Sequence, residues 1–412
     1  MRKFLEEHDL ETLLVIITMV EITKWWIPEQ LGSQHLYAVS HWVLSYDHGL
    51  IRRGLVGAIM ELWLPTVTIN NVEQGALIVY CAFLLLLLPV FYALVRYKDK
   101  GRRLFGLILF FVVNPVTISL LAHDLGLFDI FLTICSLLSM TLLAFRKHIW
   151  LVPILMLTAM FIHEGFLILY APTLLAAMLF IYLRNREDKL VLVTLAVSTV
   201  SVAVVFLVLY KYGTPAMSFD EFSRFIQSRA TFRITPLSLR ECFFGVTDHY
   251  HLASSSLYDA GSIANLILAL LILSPTFLIL LNLWSHALRN CGAQYHGCAI
   301  LFLATLGGLL LVPIATDYGR WLSAIIFCNF FSIFFLVGSG VIKVEELVEY
   351  GGGSFKPLFV LIILTYVLFG PFQDWNPYPY KDNLIVSSCS IISVLLFDVG
   401  FYARWRSLRK VL

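Results

Sequence analysis

Four short polar clusters interrupt a mostly apolar chain: Tyr46-Asp47-His48-Gly49-Leu50-Ile51-Arg52-Arg53-Gly54, His123-Asp124-Leu125-Gly126-Leu127-Phe128-Asp129, His163-Glu164-Gly165 and Thr316-Asp317-Tyr318-Gly319-Arg320-Trp321. Their residue types suit group transfer on a phosphate-linked substrate. Arg52, Arg53 and Arg320 can hold a phosphate or pyrophosphate through paired hydrogen bonds, which a planar guanidinium does better than an ammonium. Asp47, Asp124, Glu164 or Asp317 can take a proton from an attacking hydroxyl, and His48, His123 or His163 can give or accept one. Two plainer readings stand beside this one. Each cluster can be an interfacial turn, or Asp47 can pair with Arg52 or Arg53, and Asp317 with Arg320, simply to neutralise charge. Ionisable groups at membrane depth are costly enough that the functional reading is carried forward.

A metal site is a further possibility, because His123, Asp124, Asp129, His163 and Glu164 offer nitrogen and oxygen ligands. No helix carries the His-x-x-x-His or His-Glu-x-x-His spacing of zinc sites. No metal is assigned, and Mg²⁺ held partly by substrate phosphates is the alternative. No Gly-x-Ser-x-Gly elbow is present. Charges inside the apolar runs are few: Glu21, Lys24 and Asp398. An ion-coupled transporter is expected to carry more near the midplane.

The elements that must position the clusters are apolar helices. Runs near 10–28, 74–96, 104–122, 129–145, 149–162, 166–183, 190–210, 263–284, 298–315, 322–342, 357–371 and 384–402 predict about twelve membrane crossings. Two longer exported segments are expected, near 29–73 and 211–262. In the first, residues 54–64 are too short to span and read as an interfacial or re-entrant helix. In the second, residues 218–230 place Phe219, Phe222, Phe225 and Ile226 on one stripe behind a Ser218 cap, predicting an amphipathic helix on the outer surface. Gly351-Gly352-Gly353 lacks the Lys-Ser/Thr of a phosphate loop and reads as a flexible connection.

Composition agrees with lipid as the main solvent. The 412 residues are 59% hydrophobic and 14% charged, with mean hydropathy +0.84, against roughly 25% charged in soluble domains. The net charge of +2 predicts no nucleic-acid partner. The start of the chain lacks the pattern of a cleavable signal, and the seven cysteines imply no disulfide framework. With the N-terminus inside, about two thirds of the Lys and Arg residues fall in inner segments, so both termini are expected to be cytoplasmic. All four clusters then face outward. Arg52, Arg53, Arg224, Arg229, Arg233, Arg240 and Arg320 are exceptions to the positive-inside rule that ask for a reason. The expectation is one all-α, polytopic domain over 1–412.

The Asp47–Gly54 stretch, the His123-Asp124 turn, His163-Glu164 and Asp317–Trp321 resemble motifs of multi-spanning proteins of bacterial surface-polysaccharide clusters. Those are O-antigen or exopolysaccharide polymerases and, more distantly, membrane glycosyltransferases that use polyprenyl-linked sugars. The resemblance implies transfer, on the periplasmic face of the inner membrane, of a glycan from undecaprenyl pyrophosphate to a hydroxyl of a second lipid-linked unit. A chain-length regulator protein is an implied partner. It further implies an acidic site residue after the first helix, here Asp47; proton transfer from the attacking hydroxyl makes Asp47 and Glu164 the first choices for the base, with His163, His123, Asp124 and Asp317 as further candidates. Arg52, Arg53, Arg320, His48, Trp321, Arg229, Arg233 and Arg240 would contact pyrophosphate or glycan. The chain departs from the commoner polyprenyl-phosphate glycosyltransferases, which carry a paired acidic motif where Asp47-His48 stands, and this favours a metal-free mechanism. A lipid-linked glycan flippase or other transporter, and a membrane acyltransferase, are the rival readings.

Overall fold

Helix breaks fall where the sequence supplies a breaker, and the breaks shape one end of the bundle. The computed structural model describes residues 36–47, 49–95, 101–244, 260–312, 317–343, 356–369, 372, 391–400 and 402. The expected first helix with Glu21 and Lys24, His48, the Gly351–Gly353 connection, both termini and the start of the last expected helix lie outside these residues. Among the described residues the secondary structure is helical apart from one isolated bridge, Val67 with Ala230.

Among the described residues, four helices are long and apolar enough to cross a membrane: Ile69–Phe91, Lys189–Tyr212, Ile263–Asn290 and Tyr318–Gly338. Shorter apolar helices are Asp129–Phe145, Ile149–Ile162, Ala171–Arg184, Tyr295–Ala304 and Ile391–Gly400. Helix Tyr318–Gly338 is the centre of the bundle, 83% buried over its most apolar stretch, whereas Lys189–Tyr212 is only 22% buried and turns Leu192, Val193, Val197, Val200, Val204 and Leu207 outward. An outward face made of branched aliphatics suits hydrocarbon, because in water each such side chain would forgo on the order of 1.5–3 kcal/mol of burial.

The run expected as one helix over 104–122 divides into Gly101–Val112 and Ile118–His123. Pro115 disfavours helical backbone at Asn114. The Asn114 carboxamide accepts the Val116 N–H at 3.2 Å, and Ser119 Oγ donates to the Asn114 carbonyl at 2.6 Å, satisfying groups the broken ladder releases. The run expected over 166–183 divides at Tyr170 into Phe166–Leu169 and Ala171–Arg184. That expected over 298–315 stops at Ala304 and continues as a 3₁₀ turn, Gly307–Leu310. There Gly307 packs so tightly that a Cβ would lie 2.3 Å from the Ile168 carbonyl oxygen.

The loop elements follow their caps. Ser218 forms a capping box with Glu221 at the start of helix Phe219–Ser228, whose Phe222 and Ile226 are buried. Thr235 caps Pro236–Phe243, with Pro236 in the first turn. Contacts also sort the bundle into two ends. Arg146 pairs with Asp188, and Arg184 donates to the Ser339 carbonyl at 2.5 Å, so these four chain positions share one end. The described parts of the four polar clusters lie at the other.

Candidate functional site

The first cluster is built on a strained turn. Gly49 has φ +117° and Arg53 has φ +61°, the left-handed region that a side chain seldom adopts, immediately before helix Gly54–Glu61. That helix is pressed onto the preceding 3₁₀ turn, His41–Val43: a Cβ on Gly57 would sit 1.9 Å from the Leu44 carbonyl oxygen. Trp42 Nε1–H donates to the Gly126 carbonyl at 2.7 Å and ties the first cluster to the second.

This turn aims Arg53 into two carboxylates brought from distant parts of the chain. Its Nη2 lies 3.1 Å from Glu164 Oε1, and its Nη1 lies 2.8 Å from Glu241 Oε2 and 3.1 Å from His41 Nε2. Arg52 adds a second guanidinium, 3.6 Å from Glu164 Oε1, and donates to the carbonyls of Glu241 and Phe244. Tyr37 completes the group by donating its hydroxyl to Glu241 Oε2 at 2.5 Å.

Protonation follows from this geometry. Burial opposes ionisation of Glu164, but Arg53, His163 and Arg52 overcome it and hold its carboxyl well below the usual range. Glu241 behaves likewise: burial opposes its charge, and Arg53 with the Tyr37 hydrogen bond pushes its pKa down. Burial, reinforced by Arg53, lowers His163 to about 3. The neutral His163 accepts the Gly165 N–H on Nδ1 at 2.9 Å, so its proton resides on Nε2 and the ring is a donor. His41, also lowered chiefly by burial, donates from Nδ1 to the Tyr37 carbonyl at 2.9 Å and accepts from Arg53 on Nε2.

Arg320 makes a second charged group, its Nε and Nη2 each 2.9 Å from Asp129 Oδ2 and its Nη1 3.1 Å from Asp317 Oδ2. Its guanidinium carbon lies 5.4 Å from the Trp321 ring centroid. Two clefts meet at this residue. One, a narrow cleft of about 10 Å³, room for about one water, is lined by Tyr37, His41, Arg53, Gly126–Phe128, His163 and Arg320. The other, also about 10 Å³, is lined by residues including Asp124, Leu127, Asp129, Tyr170 and Arg320. Beside the second cleft, His123 Nδ1 lies 2.8 Å from Asp124 Oδ1. A carboxylate on Nδ1 fixes the tautomer that presents Nε2 as the accepting end, the orientation a general base needs.

The residues expected from sequence therefore divide. Arg53, His163 and Arg320 line one cleft, Asp124 and Arg320 line the other, and Glu164, Arg52 and Asp317 are ion-pair partners within the same groups. Trp321 stacks beside Arg320. Asp47 differs from expectation. It pairs with Arg229 at 3.4 Å, not with Arg52 or Arg53, its side chain is 40% exposed, and it lines neither cleft. Glu164 also differs, because a carboxylate clamped by two guanidiniums is a weak proton acceptor and suits the anchoring of charge better than the base role. Arg229 is buried against Asp47, Glu61 and Ser45; Arg233 and Arg240 are exposed and line neither cleft. Tyr37, His41 and Glu241 are site residues that sequence reasoning missed. Nothing local distinguishes Glu241 in Ser-Leu-Arg-Glu-Cys-Phe; only its partner 188 residues away does. Among the described residues no group of three or more His, Cys, Asp or Glu is arranged to hold a metal ion.

The chain matches no protein-family model, no curated protein and no solved structure.

Proposed function

We propose that this chain is a membrane glycosyltransferase of the polymerase type, acting on undecaprenyl-pyrophosphate-linked glycan at the periplasmic face of a bacterial inner membrane. The observation that carries the reading is the convergence of polar clusters from the 46–54, 123–129, 163–165 and 317–321 regions on two adjoining clefts at one end of the bundle, with Arg320 in the wall of both. Interfacial turns acting only as turns have no reason to converge, whereas a bundle builds a site from side chains on facing helices.

In the proposed reaction the acceptor hydroxyl loses its proton to His123 Nε2, oriented by Asp124, while its oxygen bonds to the anomeric carbon of the donor sugar. The bond from that carbon to pyrophosphate breaks, and the leaving oxygen keeps the electron pair. Arg320 is the guanidinium placed to stabilise this growing charge, which favours the transition state over the ground state. Arg53, clamped by Glu164 and Glu241, positions the wall of the first cleft. The neutral His163 offers an N–H to a sugar or phosphate oxygen. The test is a transfer assay on purified protein with a lipid-linked repeat unit as both donor and acceptor. His123→Gln and Arg320→Lys are expected to lower turnover at least 100-fold in folded protein. Full turnover in both would remove the reading.

Transport is the second reading, and one observation favours it. Asn114 Nδ2 donates to Thr276 Oγ1 at 2.8 Å, Thr276 meets the Tyr366 hydroxyl at 2.9 Å, and Ser274 Oγ donates to Asp398 at 2.6 Å, which places polar groups inside the apolar bundle. Reconstituted protein that moves a lipid-linked glycan between leaflets, yet forms no glycosidic bond, would select it.

A further inference from the structure

A separate, larger groove takes no part in the proposed site. It is an open groove of about 550 Å³ beside helix Phe219–Ser228, lined by Phe219, Ser223, Arg224, Gln227, Arg233 and Leu239 among others. Ligand pockets commonly measure roughly 300–1,000 Å³. Its frame is fixed. The capping box starts the helix, Gln227 donates to the Phe232 carbonyl at 2.7 Å and accepts the Ile234 N–H at 3.0 Å, and the Val67–Ala230 bridge ties the far side to the first loop. Arg224 and Arg233 stand exposed at the groove, and neither has a carboxylate within ion-pair distance among the described residues; Arg224 uses one N–H on the Asp220 carbonyl and feels the charge of Glu221 only across solvent.

We infer that this groove binds an acidic glycan, a saccharide bearing carboxylate or phosphate groups. The inference deepens the transfer reading and rests on it for the choice of a saccharide. Two exposed guanidiniums with no carboxylate within ion-pair distance among the described residues call for anions, and the Ser223 and Ser228 hydroxyls supply neutral hydrogen-bonding groups that sugar hydroxyls need. A lipid surface suits another part of the loops, where Ile59, Leu62 and Trp63 are 50%, 77% and 80% exposed. The groove is also coupled to the charged cluster by a short path. Helix Pro236–Phe243 contributes Leu239 to the groove and, two residues on, Glu241 to Arg53. A glycan held here lies against the element that carries a carboxylate of the cluster.

The experiment is direct binding, without any lipid-linked donor, of trigalacturonate to the full chain in zwitterionic nanodiscs, with neutral maltotriose as control. Trigalacturonate is expected to bind in a salt-sensitive manner, and the double variant Arg224→Gln/Arg233→Gln to bind at least tenfold more weakly. Arg→Lys at both positions should restore most of the binding, which separates charge from misfolding. No trigalacturonate binding by the unmodified chain, equal binding by the double variant, or equal binding of maltotriose would overturn the inference. So would displacement of trigalacturonate by phosphatidylglycerol in the discs, which would assign the groove to headgroups. Because no transfer is measured, a chain that binds trigalacturonate but forms no glycosidic bond retains the groove and loses the transferase reading. The reverse outcome does the opposite.

Discussion

Arginine is used in opposite ways at the Arg53 cluster and in the groove beside helix Phe219–Ser228. Arg53 is buried, in a left-handed backbone conformation, and shared between two carboxylates; Arg224 and Arg233 are exposed and have none within ion-pair distance among the described residues. The difference follows from solvation. A guanidinium withdrawn from water must bring its counter-charge with it, so Arg53 arrives already neutralised and acts first as structure. An exposed one keeps its charge for a visitor. Counting arginines in exported segments cannot make this distinction, since it lies in partners more than a hundred residues away.

Breaking the buried half should have the largest effect. Arg53→Gln leaves Glu164 and Glu241 facing a neutral group, and a stability loss of about 3–5 kcal/mol is expected, read as thermal unfolding in detergent. If the loss is no greater than for a surface arginine such as Arg240→Gln, the cluster is not buried as described. Next comes Gly57→Ala, where the added methyl meets the Leu44 carbonyl and overpacking costs about 1–3 kcal/mol. Gly292→Ala has open space but φ +51° and serves as the comparison for strain without a clash.

His163 sharpens the contrast through pH. Its pKa is about 3 in the folded chain against an ordinary 6.5, so between these values the unfolded chain binds a proton that the folded chain refuses. Stability therefore falls as pH drops below about 6.5, by at most about 1.4 kcal/mol per pH unit from this residue. His163→Gln should flatten the slope between pH 6.5 and 5, measured as unfolding temperature against pH. An unchanged slope would mean that the imidazole is solvated. Asp47→Asn should matter least to stability, under about 1 kcal/mol, since its pair with Arg229 is partly exposed and screened.

Sequence reading recovered what local pattern encodes. Helix Asp129–Phe145 begins and ends where the apolar run does, and the Ser218 cap and the stripe of Phe222 and Ile226 are present. It also singled out Arg53, His163, Asp124 and Arg320, because charged residues stand out against an apolar chain. It missed the breaks at Asn114, Tyr170 and Ala304, where hydropathy stays high while packing and turn geometry end the helix. The pairing of Asp47 with Arg52 or Arg53 was not found, because those arginines are near in sequence whereas Arg229 is near in space. Tyr37, His41 and Glu241 were invisible for the same reason.

The span between Arg53 and its carboxylates sets a schedule for biogenesis. Glu164 is made 111 residues after Arg53, and Glu241 188 residues after it. At roughly 5–20 residues per second, the guanidinium waits roughly 10–40 s for its second partner. Until then the Arg53 cluster holds one of its two carboxylates. The second ion pair is thus a late latch, and a chain truncated before residue 241 is expected to be cut faster by protease within 36–64 than the full chain, read by limited proteolysis.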